Sequence, residues 1–100
     1  MSELHLLIDD AKNLGTMDVI ARTYQEGVDA LSTLPVTHLY LDHDLGEDKS
    51  GYDLINWAIE NGKVPPNVQI VSMNPVGRQN IERALISAGY VNTRTYWVKL

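Results

Sequence analysis

The sequence predicts an α/β domain built on a parallel sheet. Short apolar segments rich in strand-forming residues alternate with segments of helical periodicity, and several of the apolar segments stop at a polar or acidic residue. Strands that alternate with helices pair in parallel, because each helix returns the chain to the same end of the sheet. We therefore expect one domain over residues 1–100, with helices on both faces of the sheet.

Five segments are predicted as strands. Residues 4–8 form a nearly continuous apolar run, which is typical of a strand buried on both faces. The other four predicted strands cover residues 19–21, 38–41, 68–71 and 95–98. The interval 11–17 is too short for a helical crossover of about a dozen residues. The first helix is therefore expected to be missing or reduced to a turn.

Three helices are predicted from capping residues and from apolar spacing. The first opens at the capping box formed by residues 23–26, and the second covers residues 51–61 behind the N-cap Ser50. The third follows the turn at 75–77 and ends at Gly89. The residues expected to face the core are Val28, Leu31, Leu34, Leu54, Ile55, Ala58, Ile59, Ile81, Ala84, Leu85 and Ala88.

The composition excludes several classes of function. The chain has 100 residues and no cysteine, which rules out disulfides, a thiol nucleophile and a thiolate zinc site. No apolar run exceeds residues 6–8, whereas a membrane span needs about 20 apolar residues, and no signal peptide is indicated, so we expect a cytoplasmic domain without membrane contact. The net charge of −5 opposes an extended nucleic-acid footprint. The expected ligand is small and lies in a shallow pocket at the sheet rim.

Carboxylates follow two of the predicted strands at the point where each strand ends. Asp9 and Asp10 follow the first strand, and Asp42 follows the third. Ligands of parallel sheets bind outside the carboxyl ends of the strands, and converging carboxylates call for a hard cation such as Mg²⁺, or Mn²⁺. We take Asp9, Asp10 and Asp42 as metal ligands. The alternative for the acidic pair is that it only caps a turn.

Other polar residues at the same predicted edge suit a phosphoryl group. Ser72 and Lys99 end the last two strands and would bind and neutralise phosphoryl oxygens. Asn74 and Arg78 belong to the turn that opens the third helix, where backbone amides and a guanidinium suit an anion. Each of the four has an ordinary structural alternative as a turn, connection or surface residue.

The histidines receive different interpretations. His43 stands between Asp42 and Asp44, and a histidine titrates close enough to neutral pH to give a proton to a leaving alkoxide. Its alternative is a packing role. His5 and His38 fall inside predicted strands and are interpreted as packing or face residues, and a zinc site of three histidines is disfavoured.

The order of these features resembles the receiver domain of bacterial response regulators over nearly the whole chain. In that family an acidic pair ends strand one, an Asp ends strand three, a Ser or Thr ends strand four and a Lys ends strand five. The matching residues here are Asp9, Asp10, Asp42, Ser72 and Lys99. The resemblance implies a flavodoxin-like three-layer fold with a five-stranded parallel sheet in the order 2-1-3-4-5. It also implies phosphorylation of Asp42, with Mg²⁺ bound by the acidic pair and by the backbone carbonyl of Asp44.

Two motifs point to a narrower resemblance. Residues 41–46 (Leu-Asp-His-Asp-Leu-Gly) and 72–80 (Ser-Met-Asn-Pro-Val-Gly-Arg-Gln-Asn), with Arg22-Thr23 ahead of a helix, are similar to the cyclic-phosphate-processing receiver family. These are small standalone relatives associated with RNA repair. The first and last helices of ordinary receivers are expected to be reduced or absent, so that signal output is dismantled while the acidic site is kept. Family members commonly have a His where Val71 stands, and His43 is the available substitute.

The residues and the resemblance together lead to a functional hypothesis. The protein would be a metal-dependent phosphoesterase acting on a 2′,3′-cyclic phosphate of an RNA end or a nucleotide, with catalytic roles for Asp42, Asp44 and His43. Asp42 could instead attack phosphorus itself. The alternatives are a non-catalytic phosphoacceptor and a module that sequesters a nucleotide or a protein. RNA repair and, for a phage-encoded protein in the host cytoplasm, removal of a defence signal both stay open, as does the oligomeric state.

Overall fold

The structure, a computed structural model, describes residues 2–100 and folds them into six strands and three helices. The expected domain starts at residue 1, which lies outside the described residues. The strands are β1 (His5–Ile8), β2 (Val19–Ala21), β3 (His38–Leu41), β4 (Asn67–Ile70), β5 (Tyr90–Asn92) and β6 (Trp97–Lys99). The helices are α1 (Tyr24–Thr33), α2 (Gly51–Glu60) and α3 (Pro75–Ser87). None of the helices within residues 2–100 has the length and apolar character needed to cross a membrane.

The first four strands pair in parallel in the order β2-β1-β3-β4, as the resemblance implied. Their registers are flush, with His5 opposite His38 and Leu41 opposite both Ile8 and Ile70. The residues that follow β1, β3 and β4 therefore reach the same side of the sheet. We call this side the carboxyl edge, and the side where these three strands begin the amino edge.

The expectation of a fifth parallel strand beside β4 is wrong. The last residues form a hairpin instead, and its second strand, β6, inserts between β4 and β5 and runs antiparallel to both. Helix α3 returns the chain to the amino edge, where Gly89 at φ 90° leads directly into β5. The chain must then come back along β6, which ends at the amino edge. Sequence reasoning missed β5 because the strand has only three residues and follows the helix at once.

All three helices pack on one face of the sheet, so the expected three-layer arrangement is wrong. The right-handed connections through α1 and α2 both advance the chain in the same direction along the sheet, which places their helices on the same face. The helix that would cover the other face belongs between β1 and β2, and the described residues 9–18 there contain no helix, as predicted. The apolar core lies between the helices and one set of alternating strand residues, including Leu6, Ile8, Leu39 and Leu41.

The helix boundaries follow local capping chemistry. The Thr23 side chain accepts a hydrogen bond from the backbone N–H of Glu26, and Ser50 forms a complete capping box with Asp53. Two of the residues expected to face the core are wrong. Val28 is only half-buried and lies outside the core cluster, and Leu34 is 38% exposed because α1 ends one residue earlier.

Candidate active site at the carboxyl edge

Asp9, Asp10 and Asp42 converge at the carboxyl edge. β1 and β3 are neighbours that end in register, so the residues that follow them come side by side. One carboxylate oxygen from each of the three lies within 4.8 Å of the others. Asp9 and Asp42 are buried, with exposures of 1% and 7%, whereas Asp10 is exposed. The three predicted metal ligands are therefore brought together in space.

The two oxygens of the Asp9 side chain have different surroundings. Oδ1 accepts hydrogen bonds from the backbone N–H groups of Ala11 and Lys12, at 3.0 and 2.9 Å. The turn-capping interpretation of Asp9 is therefore correct for one oxygen. Oδ2 is buried and has no hydrogen-bond partner among residues 2–100. A buried carboxylate oxygen without a partner is unfavourable, and a bound cation would satisfy it.

The pKa of the Asp42 carboxyl reflects its burial beside Asp9. Burial, followed by the negative charge of Asp9, raises the pKa of the Asp42 carboxyl above its usual value of 3.8. The backbone N–H groups of His43 and Asp44 and the hydroxyl of Ser72 act in the opposite direction and moderate the rise. A cation would offset the repulsion between the carboxylates. A donor set made only of oxygen suits Mg²⁺, so the residues present fit this ion.

A lysine from the β1–β2 loop reaches the carboxyl edge. The Lys12 Nζ donates to the carbonyl oxygen of Val71 at 3.3 Å, directly beside Ser72. The predicted cation, Lys99, lies at the amino edge, because β6 runs antiparallel to β4. The expectation that Lys99 stands beside the acidic residues is therefore wrong, and the reason is the direction of the last strand.

Arg22 holds the loop that carries Lys12. Its Nη1 donates to the carbonyl oxygens of Lys12 and Asp9, at 2.6 and 3.2 Å, and its Nη2 donates to Oδ1 of Asn13 at 2.6 Å. Arg22 thus holds three residues of the segment where an ordinary receiver has a helix. Sequence reasoning quoted Arg22 only as part of a motif and missed both its role and that of Lys12. The position of Arg22, directly after β2 and before a helix cap, is the pattern that could have indicated it.

His43 lies against the first turn of α3. β3 ends at Leu41, so strand alternation no longer directs the imidazole, and its Nδ1 lies 3.0 Å from Oδ1 of Asp44. A Cβ on Gly77 would come within 2.2 Å of Cγ of the ring, so the close contact depends on glycine. The side chain is 20% exposed. His43 is therefore held between a carboxylate and a helix and remains accessible from solvent.

Helix α2 and the loop before it close around the acidic cluster. The backbone N–H of Gly51 donates to the carbonyl oxygen of His43 at 2.7 Å, and a Cβ on Gly51 would lie 2.0 Å from the carbonyl oxygen of Asp42. Gly46 has a φ of 68°, and a Cβ there would lie 3.0 Å from Oδ2 of Asp10. Glycine at these two positions lets the chain approach the backbone of Asp42 and the carboxylate of Asp10 closely.

Ser72 and Asn74 are linked to each other and to the start of α3. The buried Ser72 hydroxyl accepts a hydrogen bond from the backbone N–H of Asn74 at 3.1 Å. Oδ1 of Asn74 accepts from the N–H groups of Val76 and Gly77, both at 3.1 Å. Asn74 is therefore the N-cap of α3, and it uses two of the amides that we expected to receive an anion. The predicted substrate contacts of Ser72 and Asn74 stay predictions.

Arg78 lies at the end of β4. Its Nη1 donates to the carbonyl oxygen of Ile70 at 2.8 Å, and its Nε lies 3.6 Å from Oε2 of Glu82. Arg78 and Arg94, from the β5–β6 turn, both line a small polar pocket of about 80 Å³ beside Ile70. The guanidinium is thus at the carboxyl edge, although it is anchored to the backbone of β4.

Comparison with known proteins identifies the family. The family model described as Cyclic-phosphate processing Receiver domain matches residues 4–87. The chain belongs to this family. The matched range contains the acidic cluster, the Lys12 loop and the His43 segment, and it stops before the β5–β6 hairpin, where the sheet departs from the expected order. No curated protein and no solved structure matches the chain.

The carboxyl edge of this cyclic-phosphate processing receiver domain combines three kinds of chemical group. Asp9, Asp10 and Asp42 can hold a hard cation. Lys12 and the buried hydroxyl of Ser72 flank Val71 and can donate to anionic oxygens. Nδ1 of His43 and Oδ1 of Asp44 lie 3.0 Å apart, a pairing that can serve proton transfer. Groups able to bind a cation, contact an anion and move a proton thus share one edge, and phosphoryl chemistry requires such groups.

Proposed function

We propose that this cyclic-phosphate processing receiver domain is a metal-dependent phosphoesterase that opens a 2′,3′-cyclic phosphate of an RNA end or a nucleotide. The observation that carries the proposal is the buried, unpartnered Oδ2 of Asp9 inside a cluster of three carboxylates. Membership of the family, whose description names cyclic-phosphate processing, supports the choice of substrate. The net charge of −5 favours a single nucleotide or nucleotide end over a long RNA.

Asp9, Asp10 and Asp42 would hold the metal ion, Mg²⁺ or Mn²⁺. When bound, such an ion polarises a phosphoryl oxygen and offsets the charge of the anionic substrate. Two backbone hydrogen bonds fix Asp9 through Oδ1 and leave its buried Oδ2 free to bind the ion. Its burial also limits competition from water.

Lys12 and Ser72 would bind the two non-bridging oxygens of the cyclic phosphate. A lysine ammonium forms a charge-assisted hydrogen bond to such an oxygen, which is about twice as strong as a neutral one. Lys12 takes the role that we had assigned to Lys99. Arg22 keeps Lys12 within reach by holding the backbone of its loop.

His43 would protonate the leaving oxygen. The oxygen of a water molecule forms the new bond to phosphorus and releases its proton to bulk water, while the bond from phosphorus to one ribose oxygen breaks. That oxygen leaves as an alkoxide and takes a proton from the imidazolium of His43, which recovers it from solvent. The product is a phosphomonoester. Asp44 orients the imidazole through its contact with Nδ1.

The test follows 2′,3′-cyclic AMP by ³¹P NMR in Mg²⁺ with the native protein and with Asp42→Asn. We expect the native protein to convert the cyclic signal into one phosphomonoester isomer, and the variant to lose at least about 100-fold in rate, as charge-bearing catalytic groups usually do. Asp29→Asn, on the exposed side of α1, makes the same charge change away from the site and should keep the rate. A folded native protein that binds Mg²⁺ but leaves the substrate intact would overturn the proposal.

The position of Asp42 also favours a second candidate function. Asp42 is the residue that matches the phosphorylated Asp of receivers, and it lies beside Asp9 and Ser72. A phosphoacceptor would gain the mass of one phosphate at Asp42 from acetyl phosphate in Mg²⁺ and would not turn over a cyclic nucleotide. A sequestering module would instead bind the nucleotide in a one-to-one ratio and release it chemically unchanged.

A further inference from the structure

A second cluster of metal-binding side chains lies at the amino edge, on the sheet face that the helices leave uncovered. It consists of Glu3, His5 and His38, and one ligand atom from each lies within 4.8 Å of the others. Oε1 of Glu3 is 2.9 Å from Nε2 of His5 and 3.9 Å from Nε2 of His38. Both histidines thus direct the same ring nitrogen toward the same carboxylate oxygen.

Strand geometry brings the three residues together. Glu3 and His5 are two residues apart in extended chain, which puts their side chains on the same face of the sheet. His5 and His38 are direct partners in the parallel pairing of β1 and β3. Their rings stack with centroids 4.3 Å apart and planes 9° from parallel. The cluster therefore follows from two paired strand residues and from Glu3 just before β1.

A hydrogen bond on Nδ1 orients each imidazole. Nδ1 of His5 lies 2.9 Å from the hydroxyl of Tyr40, and Nδ1 of His38 lies 2.9 Å from the hydroxyl of Thr37. The Thr37 hydroxyl also donates its single hydrogen to the carbonyl oxygen of Leu4 at 3.2 Å. The tautomer of His38 that carries its proton on Nδ1 fits this arrangement and leaves the lone pair on Nε2. Support of this kind on the outer nitrogen is typical of metal-binding histidines.

We propose that Glu3, His5 and His38 bind a divalent transition-metal ion, with Zn²⁺ as the natural occupant. Two imidazole nitrogens and one carboxylate oxygen suit zinc, whereas Mg²⁺ prefers oxygen alone. Ligand atoms of a tetrahedral zinc site are about 3.3 Å apart, so the present spacing needs only side-chain rotation. Three protein ligands leave a fourth position for water or a small anion.

The proposed zinc site is separate from the carboxyl edge and independent of the proposed phosphoesterase. Its histidines begin β1 and β3, whereas the acidic residues follow the ends of these strands, about 13 Å away at four residues of strand rise. The side chains of Glu3, His5 and His38 are 66%, 22% and 13% exposed, so an ion can enter from solvent. Failure of either site therefore leaves the other testable.

The test titrates Zn²⁺ into the tag-free full chain by isothermal titration calorimetry in excess Mg²⁺, which keeps the acidic cluster at the carboxyl edge occupied, and follows Co²⁺ by its visible absorption. We expect one Zn²⁺ per chain, with an affinity reduced at least 10-fold in Glu3→Gln and more strongly in His38→Gln. Asp42→Asn removes a carboxylate at the other edge, and His43→Gln removes a histidine elsewhere. Both controls should keep the native affinity for Zn²⁺.

Two outcomes would overturn the proposal: no Zn²⁺ binding by the folded native protein, or binding that Asp42→Asn or His43→Gln abolishes and Glu3→Gln leaves intact. Glu3 is largely exposed, so Glu3→Gln keeps the test valid even if His38→Gln fails to fold. Tyr40→Phe tests whether the Tyr40 hydroxyl orients the imidazole of His5. Loss of a hydrogen bond to a metal-binding histidine weakens metal binding about 10- to 100-fold. An unchanged affinity in both Glu3→Gln and Tyr40→Phe would contradict the assignment.

Discussion

The strands β1 and β3 carry a candidate ion site at each end, and the two sites differ in burial and in donor type. At the carboxyl edge, Asp9 and Asp42 are buried, and one oxygen of Asp9 has no hydrogen-bond partner among residues 2–100. At the amino edge, Glu3 is exposed, and both imidazoles are hydrogen-bonded through Nδ1. The first arrangement is costly until a cation arrives, whereas the second is satisfied without one. Both clusters offer three ligand residues, so the number of ligands alone does not determine how much a bound cation would stabilise each cluster.

The largest expected effect comes from Gly51→Ala, which tests how tightly the carboxyl edge is packed. The added Cβ would lie 2.0 Å from the carbonyl oxygen of Asp42, and backbone cannot move away cheaply. We expect a loss of about 3 kcal/mol in unfolding free energy, since overpacking a tight contact costs this much. Thermal unfolding should show a fall in Tm of about 10 °C or more.

Gly15→Ala is the matched control for Gly51→Ala, because a Cβ on Gly15 would meet nothing within 4 Å. It should change stability by less than about 0.5 kcal/mol. Equal effects of the two substitutions would show that α2 does not close on Asp42 as described.

A smaller effect is expected for Lys12→Met. This substitution tests whether Lys12, and not Lys99, binds the substrate at the carboxyl edge. Loss of a charge-assisted hydrogen bond costs about 1.5–3 kcal/mol, so kcat/KM for the cyclic nucleotide should fall about 10- to 150-fold. Lys99→Met is the matched control. It removes the same charge at the amino edge, and steady-state kinetics should show no change. A loss of activity in Lys99→Met alone would contradict the antiparallel placement of β6.

Asp42→Asn should stabilise the protein in the absence of metal by about 1 kcal/mol, because it removes a buried charge that Asp9 repels. The folded-state pKa of Asp42 lies above its unfolded value of 3.8, so the native carboxyl binds its proton more tightly than the unfolded one. The native protein therefore loses stability as pH rises from 3.8 through the folded pKa. Melting curves in EDTA should show no gain in Tm for Asp42→Asn below pH 3.8 and a constant gain at pH values above the folded pKa. A Tm of Asp42→Asn below that of the native protein at neutral pH would contradict the predicted stabilisation.

Asp53→Asn should give the smallest effect and the opposite pH dependence. Hydrogen bonds from the backbone and hydroxyl of Ser50 lower the pKa of the Asp53 carboxyl, with the backbone bond the largest cause. Its stabilisation, about 0.5–1 kcal/mol as for other helix caps, is present above 3.8 and is lost as pH falls through the folded pKa. Melting curves at neutral pH should therefore place Asp53→Asn below the native protein, with the gap closing in acid. A gap that persists in acid would show that the carboxylate charge is not the cause.

Local patterns predicted most of the fold and the acidic part of the site. The parallel pairing of the first four strands follows from their alternation with helices, and the meeting of Asp9, Asp10 and Asp42 follows from strands that end on carboxylates. The order β2-β1-β3-β4 was implied by the resemblance to receiver domains. The direction of β6 could not be predicted, because a three-residue strand such as β5 carries too few residues to show alternation. The error at Lys99 is a direct result of this.

The missed residues depend on long-range geometry. Lys12 reaches Val71 across 59 positions of sequence, and Arg22 binds loop carbonyls that no side-chain pattern marks. The Glu3, His5 and His38 cluster could have been found from residue spacing, had the register of β1 and β3 been known. Sequence patterns therefore indicate which residues end a strand, and they do not indicate which partners those residues meet.

The two outer strands limit how the sheet can pair with further chains. β2 and β5 form the borders of the sheet, and each has only three residues. Unpaired strand borders can recruit further chains, and short borders offer few backbone groups for such pairing. Arg22 follows β2, and Arg94 at φ 82° turns the chain just after β5, so neither border can lengthen without disturbing the loops beside it. The strands that carry the two candidate ion sites, β1 and β3, lie inside the sheet and have no free border for another chain to pair with.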